Sequence, residues 1–213
     1  SFITPDANGV VNLSSAGTAN SYVITNEGTY IFDATVKGNS NETIGTPTTV
    51  EVVWETLNIS DSVTEGAVIS SVSLEDGFVK FSTPDNFTEG NALIAVRDVT
   101  ESIIWSWHIW AVKFDPEGDA QIYQSGAMMM DRNLGALNTI PGDVRSFGLL
   151  YQWGRKDPFV GSGDAKSSSV KAATYPAEAI QYVQYSDRVN NIDYAILNPN
   201  HFIQSSSWNS DSR

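Results

Sequence analysis

Two histidines, His108 and His201, and no cysteine stand among the 213 residues, which removes thiol catalysis, thiolate metal sites and disulfides together. His108 sits between Ser106 and Trp110 in the run Ile103-Ile104-Trp105-Ser106-Trp107-His108-Ile109-Trp110. An imidazole there has the chemistry of a metal ligand or a proton carrier, but no Asp or Glu lies at ligand spacing on the same segment, so a structural role is expected. His201 follows Asn198-Pro199-Asn200 and reads as a loop or capping residue. A hydrolase triad needs an exposed nucleophile on an elbow such as Gly-x-Ser-x-Gly; none occurs, and Gly161-Ser162-Gly163-Asp164 lacks a strand-turn-helix frame. Whether two carboxylates could work as a glycosidase pair depends on their separation in space, which acid counts do not give. Glu51 and Glu55 flank Trp54 and are expected to solvate an exposed strand face. No Asp-x-Asp-x-Asp-Gly calcium loop is present. Catalytic residues, bound metal and cofactors are accordingly not expected.

The densest set of polar side chains is Asp131, Arg132 and Asn133 together with Arg155, Lys156 and Asp157, and the aromatics Tyr151 and Trp153 lie close by in sequence. As a binding site, aromatic faces stack on sugars while Arg and Asp supply paired hydrogen bonds. As structure, the same groups form a half-buried ion-pair network that fixes irregular loops, with Arg used for its planar fork. The second reading is favoured, and the candidate ligand-binding set under the first is Asp131, Arg132, Asn133, Tyr151, Trp153, Arg155 and Asp157.

These groups have to be held by elements, and up to Val112 the elements are strands. Apolar and polar residues alternate in Val10–Leu13, Ser21–Thr25, Thr29–Lys37, Val50–Glu55, Val68–Leu74, Phe78–Ser82, Ala92–Arg97 and Ile103–Val112. The last puts Trp105, Trp107 and Ile109 on one face and Ser106, His108 and Trp110 on the other. Asn26-Glu27-Gly28, Glu75-Asp76-Gly77 and Glu89-Gly90-Asn91 supply turns, and Asp98 to Ser102 is short enough for a hairpin. This pattern predicts an antiparallel β-sandwich over residues 1–112. Residues 113–213 predict an irregular α+β domain: an extended stretch from Gln121 to Met130, a helix over Ser146–Arg155 with Ser146 as N-cap, a Gly/Ser-rich loop over Gly161–Ser169, a helix from Pro176 to Tyr185, and a third over Asn191–Leu197 stopped by Asn198-Pro199. Asn12, Asn41, Asn58 and Asn86 open Asn-x-Ser/Thr triplets and are expected at strand edges and in loops.

Composition agrees with a folded, mostly β chain: 41% hydrophobic and 17% charged. The net charge of −13 opposes binding to nucleic acid or anionic membranes. The charge is uneven, with 14 acids and 3 bases in residues 1–112 against 11 and 9 in 113–213, which places the domain boundary near Ala111 to Pro116. No apolar run reaches the roughly 20 residues needed to cross a bilayer. No basic n-region with an apolar h-region opens the sequence at Ser1, so any signal or lipoprotein leader is expected to have been removed.

Three strings carry a family likeness: the Trp-rich run from Ile103, Met128-Met129-Met130-Asp131-Arg132-Asn133-Leu134-Gly135-Ala136, and Tyr151-Gln152-Trp153-Gly154-Arg155-Lys156-Asp157-Pro158-Phe159. In this order they resemble the major paralogous domain of Fibrobacter succinogenes type found in Bacteroidetes and Fibrobacteres surface proteins, often labelled fimbrillin-like. Ala19-Asn20-Ser21-Tyr22, Gly28-Thr29-Tyr30, Val36-Lys37-Gly38-Asn39, Val53-Trp54-Glu55 and Gly90-Asn91-Ala92-Leu93 resemble the region that precedes it. The resemblance implies a C-type-lectin-like second domain and an extracellular, outer-membrane-associated cell-surface protein working in adhesion or a fimbria-like assembly. Implied partners are other surface subunits, or glycans and proteins of a host or another microbe. Two departures stand out: the family commonly has Cys where Ser21 stands, and it continues past Arg213 into a Cys-containing, Pro-rich segment, so the second domain is expected to be incomplete. The calcium-binding strings of sugar-binding lectins are absent, Trp208-Asn209-Ser210-Asp211 coming nearest, and so are the cysteines of the related formylglycine-generating enzymes.

Overall fold

Eight strands form in the first half, the two central ones of the second sheet, β7 and β8, buried on both faces: β1 (Val10–Asn12), β2 (Ser21–Ile24), β3 (Thr29–Asp33), β4 (Thr49–Thr56), β5 (Ser71–Glu75), β6 (Phe78–Ser82), β7 (Gly90–Arg97) and β8 (Ile103–Ala111). The computed structural model describes residues 5–116, 118–185 and 190–204. These are mostly β, in several sheets, with one α-helix. Each predicted run in the first half contributes a strand, with ends trimmed or extended by a few residues.

The eight strands form two four-stranded sheets, β1-β3-β6-β5 and β2-β8-β7-β4. The pairing departs from the expected all-antiparallel order, because β1 runs parallel to β3 and β2 parallel to β8. One hydrophobic cluster lies between the sheets. Tyr30, Phe32, Val79 and Phe81 from the first meet Tyr22, Ile24, Ala92, Ile94, Val96, Trp105, Trp107 and Ile109 from the second. Phe32 is its centre, with ring centroids 5.0 Å from Trp107 and 5.1 Å from Tyr22. Burying each such side chain contributes roughly 1.5–3 kcal/mol, so the aromatic face of β8 anchors this core.

The other face of the β2-β8-β7-β4 sheet is covered as well, by the second half of the chain. A β-bulge between Val52 and Trp54 switches the phase of β4, so that Val50 and Val52 face the inter-sheet core while Trp54 turns to the opposite face. There Trp54 and Leu93 pack with Leu149, Val160 and Ala172, and Trp110, Val112 and Phe114 pack with Leu137. The bulge also corrects the expectation for Glu55. Only 2% exposed, its carboxylate accepts hydrogen bonds from the N–H groups of Gly66 (3.1 Å), Val68 (2.5 Å) and Ile69 (3.1 Å), and burial raises its pKa. Glu51 stays outside and pairs with Arg97 at 2.5 Å.

Beyond β8 the strands are short: β9 (Gln121–Ile122), β10 (Met128–Met129), β11 (Leu150–Tyr151), β12 (Pro158–Phe159), β13 (Gln181–Val183) and β14 (His201–Ile203), with α1 (Asn191–Leu197) between the last two. The extended stretch at Gln121 to Met130 is a hairpin, and α1 has the predicted bounds. Two predicted helices are absent. Instead of a helix over Ser146–Arg155, a single 3-10 turn spans Val144–Ser146, capped by Asp143 rather than Ser146, and β11 then pairs with β12. The break is at Gly148, whose φ of +74° is incompatible with a helix; a Cβ there would come within 2.5 Å of the Leu134 carbonyl. From Pro176 to Tyr185 no helix forms either. Glu178 adopts φ +56° and the chain enters β13, which lies parallel to β14. His201 is therefore a strand residue, its Nδ1 2.8 Å from the Tyr194 hydroxyl.

Candidate functional site

Polar side chains of the sheet face that meets the second half form two hydrogen-bonded clusters, one around His108 and one around Ser106. Ser106, His108 and Trp110 alternate with the core-facing residues of β8, and Asn91 and Leu93 do the same on β7. Asn91 Nδ2 donates to Asn58 Oδ1 (3.1 Å) and to the Gly135 carbonyl (2.9 Å), which also accepts from Asn58 Nδ2 (2.9 Å). With its amide nitrogen so used, Asn91 Oδ1 is the acceptor for His108 Nε2–H (2.9 Å), which leaves His108 Nδ1 to accept from the Ser21 hydroxyl (2.8 Å). The chain from Ser21 to Gly135 thus has every member satisfied. Asn58, expected at a strand edge or in a loop, lies in the loop that follows β4 and is buried in this network.

Gly135 explains the Leu134-Gly135-Ala136 end of the second string. Its φ is +78°, and a Cβ would lie 2.4 Å from Leu149 Cγ, so only glycine can present that carbonyl to the two asparagines. The third string forms a second lock. Lys156 Nζ donates to the Ser106 carbonyl (2.9 Å), to Ser106 Oγ and to Asp157 Oδ1 (2.7 Å), while Ser106 Oγ donates to the same carboxylate oxygen (2.7 Å). The ammonium also lies 4.6 Å from the centre of the Trp105 ring. Burial lowers the Lys156 pKa, and Asp157 opposes that shift. Arg155 turns the other way, donating to the carbonyls of Asn198, Pro199 and His201 and to Gln152 Oε1, and stacking over Phe159 at 4.7 Å. Gln152 bonds both the N–H and the C=O of Ile203, so this string ties α1 and β14 to the sheet.

The seven candidate binding residues are divided rather than gathered. Asp131 and Arg132 pair with each other at 2.7 Å, Arg132 lies over Phe114 at 4.1 Å, and Asn133 donates to the Phe147 carbonyl. Among the described residues no hydrogen bond or ion pair joins Asp131, Arg132 or Asn133 to Arg155 or Asp157, both of which serve the interior contacts above. Tyr151 and Trp153 face outward, as do Asp131 and Asn133, Trp153 being 70% exposed. Trp208 lies outside the described residues.

Sequence reading named His108 but missed Ser21 and Asn91 as its partners, and Asn58 as the next group along. The strand register was the missing information, since Ser21 meets His108 only because β2 is parallel to β8. Ser21, His108 and Asn91 have the connectivity of a nucleophile, base and orienter. However, burial pushes the His108 imidazole down to about 3, and the orienting group is a neutral amide. A base that weak accepts a hydroxyl proton poorly, and among the described residues no carboxylate hydrogen-bonds the imidazole to stabilise an imidazolium. Among the described residues no three His, Asp or Glu side chains are grouped to hold a metal ion, and no helix is long and apolar enough to cross a membrane. Compared with family models, with curated proteins and with solved structures, the chain matches none of them.

Proposed function

We propose that this chain is a non-catalytic module of a bacterial cell surface that serves adhesion or a fimbria-like assembly, its two sheets forming a β-sandwich to which a C-type-lectin-like half is locked. The observation that carries the reading is the edge where the sheets part. There β1 is only three residues long, and beside it runs a groove of about 470 Å³ lined by Val11, Leu13, Val23, Ile24, Tyr30 and Phe114. An apolar groove along a short edge strand suits an extended segment from a neighbouring copy, which would gain main-chain hydrogen bonds and side-chain pockets together. The segment assigned to that role is residues 1–11, whose last two residues pair with β3 here and would be exchanged for those of the neighbour; residues 1–4 lie outside the described residues. Support also comes from the interior polar groups, which are engaged in locking the two halves. Deleting residues 1–11 and following assembly by light scattering tests the reading. Oligomers should be lost, and a synthetic peptide covering residues 1–11 should bind the shortened chain without restoring them, whereas unchanged assembly would refute it.

A second reading, a carbohydrate-binding module, is favoured by the exposure of Trp153 beside Tyr151. A glycan array separates the two. The sugar reading expects a signal that Trp153→Ala removes while stability changes by less than about 0.5 kcal/mol, as is usual for an exposed site.

A further inference from the structure

The hairpin of β9 and β10 stands almost uncovered on the second half. All residues from Gln121 to Met129 are exposed, and Ile122, Tyr123, Met128 and Met129 are each more than half exposed. The hairpin closes on itself: the N–H of Tyr123 donates to the Ala127 carbonyl (3.0 Å) and that of Gly126 to the Tyr123 carbonyl (2.9 Å). Its register sets Ile122 beside Met128 on one face and Gln121 beside Met129 on the other. Among the described residues none of the four large apolar side chains joins a buried hydrophobic cluster, whereas Met130, the next residue, packs against the cluster of Trp110, Val112, Phe114 and Leu137 and roots the arm.

A two-stranded hairpin by itself is marginally stable in water, and exposed strand edges are ordinarily guarded by charge or proline. Here the guard is missing: from Ala120 to Met130 there is no charged residue and no proline, although the chain as a whole carries −13. That contrast selects the partner. Two copies repel one another over most of their surface, and an uncharged apolar arm is where they touch without opposing like charges. An antiparallel contact between identical strands closes on a twofold axis, so the same hairpin serves both sides. The four side chains expose on the order of 500 Å² per copy, and two copies together reach the roughly 1,000 Å² at which specific contacts begin. We propose that the β9-β10 hairpin is a self-association surface that docks on the same hairpin of a second copy. The contact is separate from the exchange of residues 1–11 and holds whether or not that exchange occurs. Its size makes it weak, so it persists at high protein concentration and does not hold oligomers together in dilute solution.

The test compares the full chain with a double variant, Ile122→Asp and Met128→Asp, by sedimentation equilibrium over a range of concentrations. Self-association should weaken at least about tenfold in the variant. In the parent it should strengthen between about 50 mM and about 500 mM NaCl, because salt screens the repulsion between copies and leaves apolar burial in place. The chain has no cysteine, so single cysteines report proximity cleanly. Met129→Cys, treated with a short bis-maleimide, should give several times more cross-linked dimer than Val99→Cys, which stands at an exposed turn of the first half. Failure of strand exchange leaves the difference between parent and double variant intact, so the two ideas are tested separately. Should the double variant fold poorly, the cysteine comparison decides, since both positions are exposed. Identical size distributions for parent and double variant, association that weakens with salt, or equal cross-linking at Met129→Cys and Val99→Cys would overturn the proposal.

Discussion

Lowering the pH from 7 to 5 should destabilise the protein mainly through His108, and the size of the effect follows from its burial. The folded imidazole has its pKa near 3, against 6.5 for the ordinary group. As pH falls, the unfolded chain therefore takes up the proton first, and stability declines below pH 6.5 until the folded form also titrates near 3. At pH 5 this linkage removes about 2 kcal/mol, a large fraction of the roughly 5–15 kcal/mol that holds a domain together. His201, lowered by burial and by the charge of Arg155, acts in the same direction. Glu55 acts in the opposite one, since its raised pKa makes stability fall as pH rises above its ordinary value. Comparison with His108→Gln cancels both contributions, because glutamine can still donate to Asn91 but does not titrate. Urea denaturation followed by Trp fluorescence at several pH values gives the two curves. The variant should be less stable at pH 7 and lose roughly 2 kcal/mol less than the parent between pH 7 and 5. Parallel curves would show that His108 is solvated or already charged in the folded state, and the account of the buried network would fail.

Gly135→Ala should cost more than about 3 kcal/mol, because the new methyl meets Leu149 while the backbone is held at positive φ; the denaturation midpoint measures it. Asp157→Asn leaves Lys156 buried without its carboxylate and should cost about 3–5 kcal/mol, much of it recovered when Lys156→Met is added. If the double variant is no more stable than the single, the pair is not the lock described.

Much of the first half was legible because a period of two leaves little choice: the face bearing Trp105, Trp107 and Ile109 had to be buried in the core. The role of the opposite face was not legible. Ser106 and His108 look like surface residues in a strand until the second half covers them, and that covering depends on contacts from Asn58 to Gly135 and from Ser106 to Asp157, far apart in sequence. Glu55 was misplaced because a single bulged residue in β4 moves it to the other face. The helix expected over Ser146–Arg155 is overridden by the backbone conformation of Gly148. Within the candidate set, residue type marked Arg155 and Asp157 as special, but which groups they contact is fixed by tertiary structure.

The central claim is that the second half of the chain is held to the β2-β8-β7-β4 sheet by buried polar bonds as well as by packing. Native-state amide hydrogen exchange tests it most directly. The amides of Leu137, Leu149 and Ala172, bonded within the second half, should open with the same free energy and denaturant dependence as those of β8. Exchange of those three through a separate, lower-energy opening, with β8 still protected, would contradict it.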